Sequence, residues 1–322
     1  MDQRLEQLKN WLKQSDIDYQ SIQPASADAS FRRYFRISNE GKTYIVMDAP
    51  PEKEDCLPFI AIASLFLEFG LNVPKILAQD TKQGFLLLSD LGDTVFLSEL
   101  NNEQVDSMYT SAMDALLILQ KNDSSKLPNY DETLLRNELA LFPDWYFEKQ
   151  LSVTLTLQQK QILQQSFDIL VLNALEQPQV CVHRDYHSRN LMINNEDANK
   201  PGIIDFQDAV TGAVTYDLVS LLKDCYIDWP RDKVEAWVNY YHRQAEKQGI
   251  VEDVSDAQFL RWFDLMGLQR HLKVAGIFSR LKHRDGKTGY LKDIPRTMDY
   301  VNDVVARYAE FKPLQNLLGD LL

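Results

Sequence analysis

Apolar positions in the first 14 residues recur at helical spacing, with Leu5, Leu8, Trp11 and Leu12 on one side of a helix whose other side is polar. Alternation then takes over. The stretches SFRRYFRIS (30–38) and KTYIVMDAP (42–50) flank Asn39-Glu40-Gly41, which predicts a hairpin. A helix is predicted over 55–70, stopped at Gly70 with Pro74 just beyond, and two further strands, PKILAQD and GFLLLSDLG, surround a turn at Lys82-Gln83-Gly84. After Leu91-Gly92-Asp93 the period changes: helices are predicted over 95–120, 131–150 and 157–176, then a short β region over 180–208, then helices to the end. No period of 20–50 residues repeats. The pattern predicts an α+β protein, with a small antiparallel β lobe carrying one main helix over 1–91 and a larger, mainly helical lobe over 92–322.

Composition narrows this reading. A chain of 322 residues is natural for two lobes, and 45% hydrophobic with 25% charged residues is ordinary for a soluble globular protein. No apolar run reaches the roughly 18–20 residues of a membrane span. The polar N-terminus lacks the apolar centre of a secretory signal, so a cytoplasmic location is expected. Cys56, Cys181 and Cys225 have no metal-ligand spacing and read as small buried apolar residues. The net charge of −13 disfavours nucleic-acid and anionic membrane surfaces. It leaves a nucleotide ligand open, because a metal ion bridges carboxylates to phosphates. No obligate protein partner is evident.

The stretch VCVHRDYHSRNLMI (180–193) sets two His, two Arg, an Asp and an Asn between apolar runs. Asp185 and Asn190 lie five residues apart, and Asp205 follows in GIIDFQDA. The segment between reads as strand, turn, strand, and antiparallel pairing brings Asn190 and Asp205 to the same end. This set suits phosphoryl transfer, which needs an oriented hydroxyl and Mg²⁺ clamped on phosphates more than covalent help. Asn190 and Asp205 are then the metal ligands, and Asp185 orients the attacking hydroxyl and accepts its proton.

His183, Arg184, Asp185 and Asn190 match the protein-kinase catalytic-loop pattern. Followed by Ile204, Asp205, Phe206, Gln207 and Asp208, they more closely resemble the aminoglycoside phosphotransferase superfamily. Gln207 stands where protein kinases have glycine, and no activation loop or A-P-E follows. The resemblance implies a protein-kinase-like two-lobed fold, ATP and Mg²⁺ as cofactors, and a role for Asp217 in bracing the catalytic loop. It also exposes a departure. Met47 and Asp48 stand where the phosphate-binding lysine falls, and the helix position of its glutamate partner falls near Ala61. ASADASFRRYFRI occupies the phosphate-covering loop, so the Ser30 hydroxyl is a candidate there. Arg32 and Arg36 share one strand face with Tyr34, whereas Arg33 points to the other. All three arginines remain open as the replacement cation, with Arg33 taken because it faces opposite to the other two. Backbone groups of Ser89, Asp90 and Leu91 are the candidates for contacting adenine.

The stretches SADASFRRYFR, MDAP, LLLSDLGD, ELALFPDWYFEKQL, GAVTYDLVSLLKDCYIDWP and LQRHLKVAGIFSRLKHRDGKTGYLKDIPR, with the two motifs above, resemble one branch over about 24–312. That branch is the bacterial anomeric N-acetylmuramate/N-acetylglucosamine kinases of cell-wall recycling. The likeness implies transfer of phosphate to the anomeric hydroxyl, giving a sugar 1-phosphate. Candidates for the sugar are Glu138, Trp145 and Trp229. Arg270, Lys273 and Arg284, from the basic C-terminal cluster, are candidates for a lactyl carboxylate. The alternatives are an aminoglycoside or other small-molecule kinase of the same superfamily and, from another class, a non-catalytic nucleotide-binding pseudokinase.

Overall fold

A computed structural model describes residues 2–27 and 31–321. Ser30 therefore lies outside the described residues. The chain divides into two units, Met1–Gln104 with Arg189–Asp208, and Val105–Ser188 with Ala209–Leu322. The sequence expectation set its boundary after residue 91 instead.

In the first unit, α1 (Gln3–Gln14) is capped by Asp2, whose carboxylate accepts the Leu5 N–H. A five-stranded antiparallel sheet follows, built from β1 (Ser21–Ala27), β2 (Arg33–Asn39), β3 (Lys42–Asp48), β4 (Ile76–Asp80) and β5 (Phe85–Ser89), in the order β1-β2-β3-β5-β4. The predicted hairpin is β2–β3, closed by Glu40 and Gly41, both at positive φ as a two-residue turn requires. β1 is not foreseen by the alternation. It is an edge strand with a register shift between Pro24 and Ser26, where proline is tolerated.

Leu8, Trp11 and Leu12 of α1 bury against Phe35, Ile37, Val46, Phe85 and Leu87, which fixes one face of the sheet as the α1 face. Each such side chain contributes roughly 1.5–3 kcal/mol of transfer free energy. Met47, Leu86 and Leu88 alternate onto the other face and are also buried. Gly84 (φ +75°) turns the chain into β5, and a Cβ there would lie 1.8 Å from the Ala49 carbonyl oxygen. The helix α2 (Leu57–Glu68) begins after Cys56, with Pro58 in its first turn. A single helical turn, α3 (Phe96–Glu99), precedes the unit boundary. The segment 189–208 forms a short antiparallel ladder, Leu191–Met192 with Gly202–Ile203. It joins this unit through Ile203 N–H to Asn72 carbonyl (2.8 Å) and Ile193 N–H to Thr94 carbonyl (2.8 Å).

The second unit is helical: α4 (Val105–Lys121), α5 (Glu132–Leu141), α6 (Leu157–Glu176), α7 (Tyr216–Leu222), α8 (Arg231–Lys247), α9 (Asp256–Asp285), α10 (Ile294–Arg307) and α11 (Lys312–Leu321). The helix predicted over 131–150 is α5 running into a π-helix, Phe142–Gln150. One two-stranded antiparallel ladder, Gln179–Val182 with Val210–Ala213, lies among these helices. The 30-residue α9 starts at the Ser255 cap and stops at left-handed Gly286. It packs against α5, α6, α7, α8, α10 and the π-helix, so it is buried nearly all round. Close approach of Leu141 requires Gly276, because a Cβ there would meet the Leu141 backbone at 2.4 Å. No helix among the described residues is long and apolar enough to cross a membrane.

Candidate functional site

The strand Gln179–Val182 delivers the chain to the loop His183–Ser188 in the second unit. Asp217, in the first turn of α7, fixes this loop by its backbone. One carboxylate oxygen accepts the His183 N–H at 2.6 Å and the other the Arg184 N–H at 3.0 Å. Burial pushes the Asp217 carboxyl up to about 7, against the lowering effect of those N–H groups and Arg270. Arg184 is held at φ +77°, which costs an L-residue about 1–3 kcal/mol unless its surroundings impose it. Asp224 grips the loop's far end, accepting the Ser188 N–H at 3.0 Å and the Ser188 hydroxyl. The buried Tyr186 donates to the Ala112 carbonyl at 2.8 Å. His183 is wholly buried, and its Nδ1 accepts the Asp185 N–H at 3.2 Å.

Asp185 sits partly exposed in this frame. Burial pushes its carboxyl up, but the electrostatic effect of His187, Lys273 and Arg270 outweighs that and holds it below the usual carboxylate range. A carboxylate that stays ionised can orient a hydroxyl and take its proton.

The first unit holds the other two motif residues. The ladder of Leu191–Met192 with Gly202–Ile203, closed by the Ile204 N–H to the Asn190 carbonyl at 3.1 Å, sets Asn190 beside Asp205. The Asn190 Nδ2 lies 3.3 Å from Asp205 Oδ2, and Gln207 donates to Asp205 Oδ1 at 3.0 Å. Asp205 is another non-glycine residue at positive φ, +66°. Its neighbour Phe206 is buried against Phe59 (4.9 Å between centroids) and Phe66 (5.6 Å) of α2. One amide and one carboxylate, side by side at the open end of this ladder, are hard oxygen donors that fit Mg²⁺, an ion that keeps waters and phosphates as its remaining ligands. Among the described residues no group of three His, Cys, Asp or Glu side chains gathers as a metal cage.

The remaining candidates are placed as follows. Arg33 lies on the α1 face, its guanidinium forked onto the fully buried Asp48 (3.0 and 2.6 Å) and paired with Asp2. Arg4 of α1 holds the same Asp48 from the other side. The placement of Arg33 opposite to Arg32 and Arg36 thus turns it toward α1 and a structural ion pair. Ser89 accepts the Lys75 N–H at 2.8 Å through its hydroxyl. The Asp90 carboxylate is taken by the Arg36 fork (2.6 and 3.0 Å) and by the Gly92 N–H. Leu91 packs near Gly202.

In the second unit, Glu138 is 7% exposed and accepts from Arg184 at 2.6 Å, Lys273 at 2.9 Å and the Tyr130 hydroxyl. Arg270 and Lys273, which helical spacing alone leaves open as a solvated face, are buried on α9. Arg284 is exposed and pairs with its neighbour Asp285, apart from that network. Trp229 is partly buried edge-on against Tyr109 and Trp237, donating to the Tyr109 hydroxyl at 3.1 Å. Trp145 is partly exposed on the π-helix. Glu54, which the alternation pattern does not single out, pairs with Arg32 at 3.1 Å. The only sequence signal for it is the acidic PEKED run ahead of α2.

Residues 21–262 match the model of the phosphotransferase enzyme family. The chain is 47% identical, over 99% of its length and 97% of the relative's, to the N-acetylmuramate/N-acetylglucosamine kinase of Pseudomonas aeruginosa. It is 45% identical, over the same shares, to the protein of that name from Pseudomonas putida. Among solved structures, choline kinase LicA from Streptococcus pneumoniae superposes with a TM-score of 0.64 at 12% identity, covering 94% of this chain and 99% of that one. That likeness is one of fold, the protein-kinase-like fold with an N-terminal antiparallel sheet and a mainly helical larger part. With the motif residues and nearly the whole length accounted for, the chain belongs to the phosphotransferase enzyme family.

Proposed function

We propose that this chain is an ATP-dependent sugar kinase that phosphorylates the anomeric hydroxyl of N-acetylmuramate, N-acetylglucosamine or both, in the cytoplasmic recycling of peptidoglycan. The observation that carries the reading is 45–47% identity, over 99% of this chain and 97% of each relative, to proteins bearing that kinase name. In the reaction the anomeric oxygen forms a bond to the γ-phosphorus of ATP as the bond to the β-phosphate oxygen breaks. ADP leaves, and the hydroxyl proton passes to Asp185. The cationic surroundings of Asp185 keep it ready to accept that proton. Asn190 and Asp205 are the protein ligands of Mg²⁺, which when bound neutralises charge on the phosphate oxygens. The Ser89–Leu91 backbone contacts adenine. Arg270 and Lys273 serve the acceptor side by holding Asp185 ionised.

The test is an acceptor panel with ATP and Mg²⁺: N-acetylmuramate, N-acetylglucosamine, glucose, kanamycin and choline, followed by ADP release. Turnover with the N-acetylated sugars is expected. Turnover with kanamycin alone would overturn the sugar reading, and nucleotide binding without any transfer would favour a pseudokinase.

A further inference from the structure

Resting on the kinase reading above, we infer that Arg32, held in place by Glu54, is the cation that binds the nucleotide's phosphates where the usual β3 lysine is missing. The need for one is plain from β3, where Met47 and Asp48 offer no cation and Asp48 is wholly buried between Arg4 and Arg33. Three arginines of the 30–38 stretch compete for the role, and the strand face of each, with the element its partner belongs to, separates them. Arg33 is on the α1 face, taken by Asp48 and Asp2, with its guanidinium 5.5 Å from the Phe35 ring centre. Arg36 is forked onto Asp90 and also donates to the Gly92 carbonyl at 2.7 Å, which ties it to the segment just after β5.

Arg32 immediately precedes β2, and alternation sets it with Tyr34 and Arg36 on the face away from α1. It is only 8% exposed and pairs with Glu54 at 3.1 Å. Glu54 also accepts the Phe31 N–H at 3.2 Å, so one carboxylate anchors both the backbone and the guanidinium at this point.

The position of Glu54 gives the pair its meaning. It lies two residues before Cys56, which starts α2. Phe59, in the first turn of that helix, packs on Phe206, the residue after Asp205. Phe206 also packs on Phe66, two turns further along α2, so the Arg32–Glu54 pair ahead of this helix and the residue after Asp205 are tied to the same element, within one unit. In kinases a lysine on β3 and a glutamate on the following helix form the ion pair that presents a cation to the α- and β-phosphates. Here both partners have moved together: the cation to the start of β2, the anion to the turn ahead of α2. An arginine in this place offers a planar fork that binds phosphate through two hydrogen bonds while Glu54 keeps its own.

The experiment is calorimetric titration of ADP and of adenosine, each with Mg²⁺, into the wild type and into Arg32→Gln, Arg32→Lys, Arg33→Gln and Glu54→Gln. Adenosine has the base and ribose without phosphates, so the ratio of the two affinities isolates the phosphate contact and corrects for any general loosening of the fold. Arg32→Gln is expected to weaken ADP roughly 30-fold or more relative to adenosine, the scale for truncating one partner of a buried charge pair. Arg32→Lys recovers part of that loss, and Glu54→Gln shifts the ratio the same way by less. An unchanged ratio in Arg32→Gln, or a loss that appears in Arg33→Gln instead, overturns the assignment while leaving the kinase reading intact. A wild type that binds no ADP overturns both.

Discussion

The carboxylate of Glu138 is the hinge of the second unit's buried charge network, and its removal is the sharpest structural test. Its two oxygens take Arg184, Lys273 and Tyr130, and Lys273 also donates to the Tyr216 hydroxyl at 2.9 Å. Burial pushes the Glu138 carboxyl up, but Lys273, Arg184 and the Tyr130 hydrogen bond more than offset this and hold it below the usual range. Glu138→Ala leaves the Lys273 ammonium, 7% exposed, without its anion. Breaking a buried pair in this way costs about 3–5 kcal/mol. At about 2–4 °C per kcal/mol for a unit of this size, the melting point falls by about 6–20 °C. Trp145, Trp229, Trp237 and Trp262 all lie in this unit, so tryptophan fluorescence follows its unfolding. Lys273→Met alone is expected to cost a similar amount. The double variant Glu138→Ala/Lys273→Met removes both charges and recovers at least about 2 kcal/mol relative to the sum of the singles. Strict additivity of the two losses would mean that the carboxylate does not compensate the ammonium. Arg184 adjoins Asp185, so Glu138→Gln, which keeps the volume and loses the charge, is expected to lower kcat more than it changes the Kd for ADP.

Asp185→Asn should reduce turnover on the order of 10²–10⁴-fold with ADP affinity little changed, and an equal loss of both would contradict its assignment as the base. Asp205→Asn should largely abolish the enhancement of ADP affinity by added Mg²⁺, read by titration with and without the ion. The carboxyl of Asp217 is raised from 3.8 to about 7, so its contribution to stability is full below about 3.8 and is lost as pH rises through about 7. Asp217→Asn should therefore flatten the fall in melting temperature between pH 4 and 7, and an unaltered slope would count against a raised value. Gly276→Ala forces a methyl group to 2.4 Å from the Leu141 backbone and should destabilise by about 1–3 kcal/mol in chemical denaturation.

Much of this architecture is legible in the sequence because its signals are local. The two-residue turn at Glu40-Gly41 and the apolar stripe of α1 each stand within one window of residues. So does the spacing from Asp185 to Asn190. Other features depend on distant partners. Alternation separates Arg33 from Arg32 and Arg36, but only the docking of α1 reveals which face holds the core. Arg270 and Lys273 stand in a basic run whose spacing does not say which of its members is buried. Lys273 is buried against Glu138, 135 positions earlier, and no window of sequence contains both. The strand β1 escapes because Pro24 interrupts it, and the π-helix because its wider turn blurs the helical period.

The regiochemistry of the product decides whether this chain is an anomeric sugar kinase. After incubation of the protein with ATP, Mg²⁺ and N-acetylmuramate, phosphorus–proton correlation NMR reads which sugar carbon bears the new phosphate. Coupling to the anomeric proton alone is expected, with one ADP formed per sugar 1-phosphate. Phosphate on any other hydroxyl, or no phosphorylated sugar beside normal nucleotide binding, would contradict that reading.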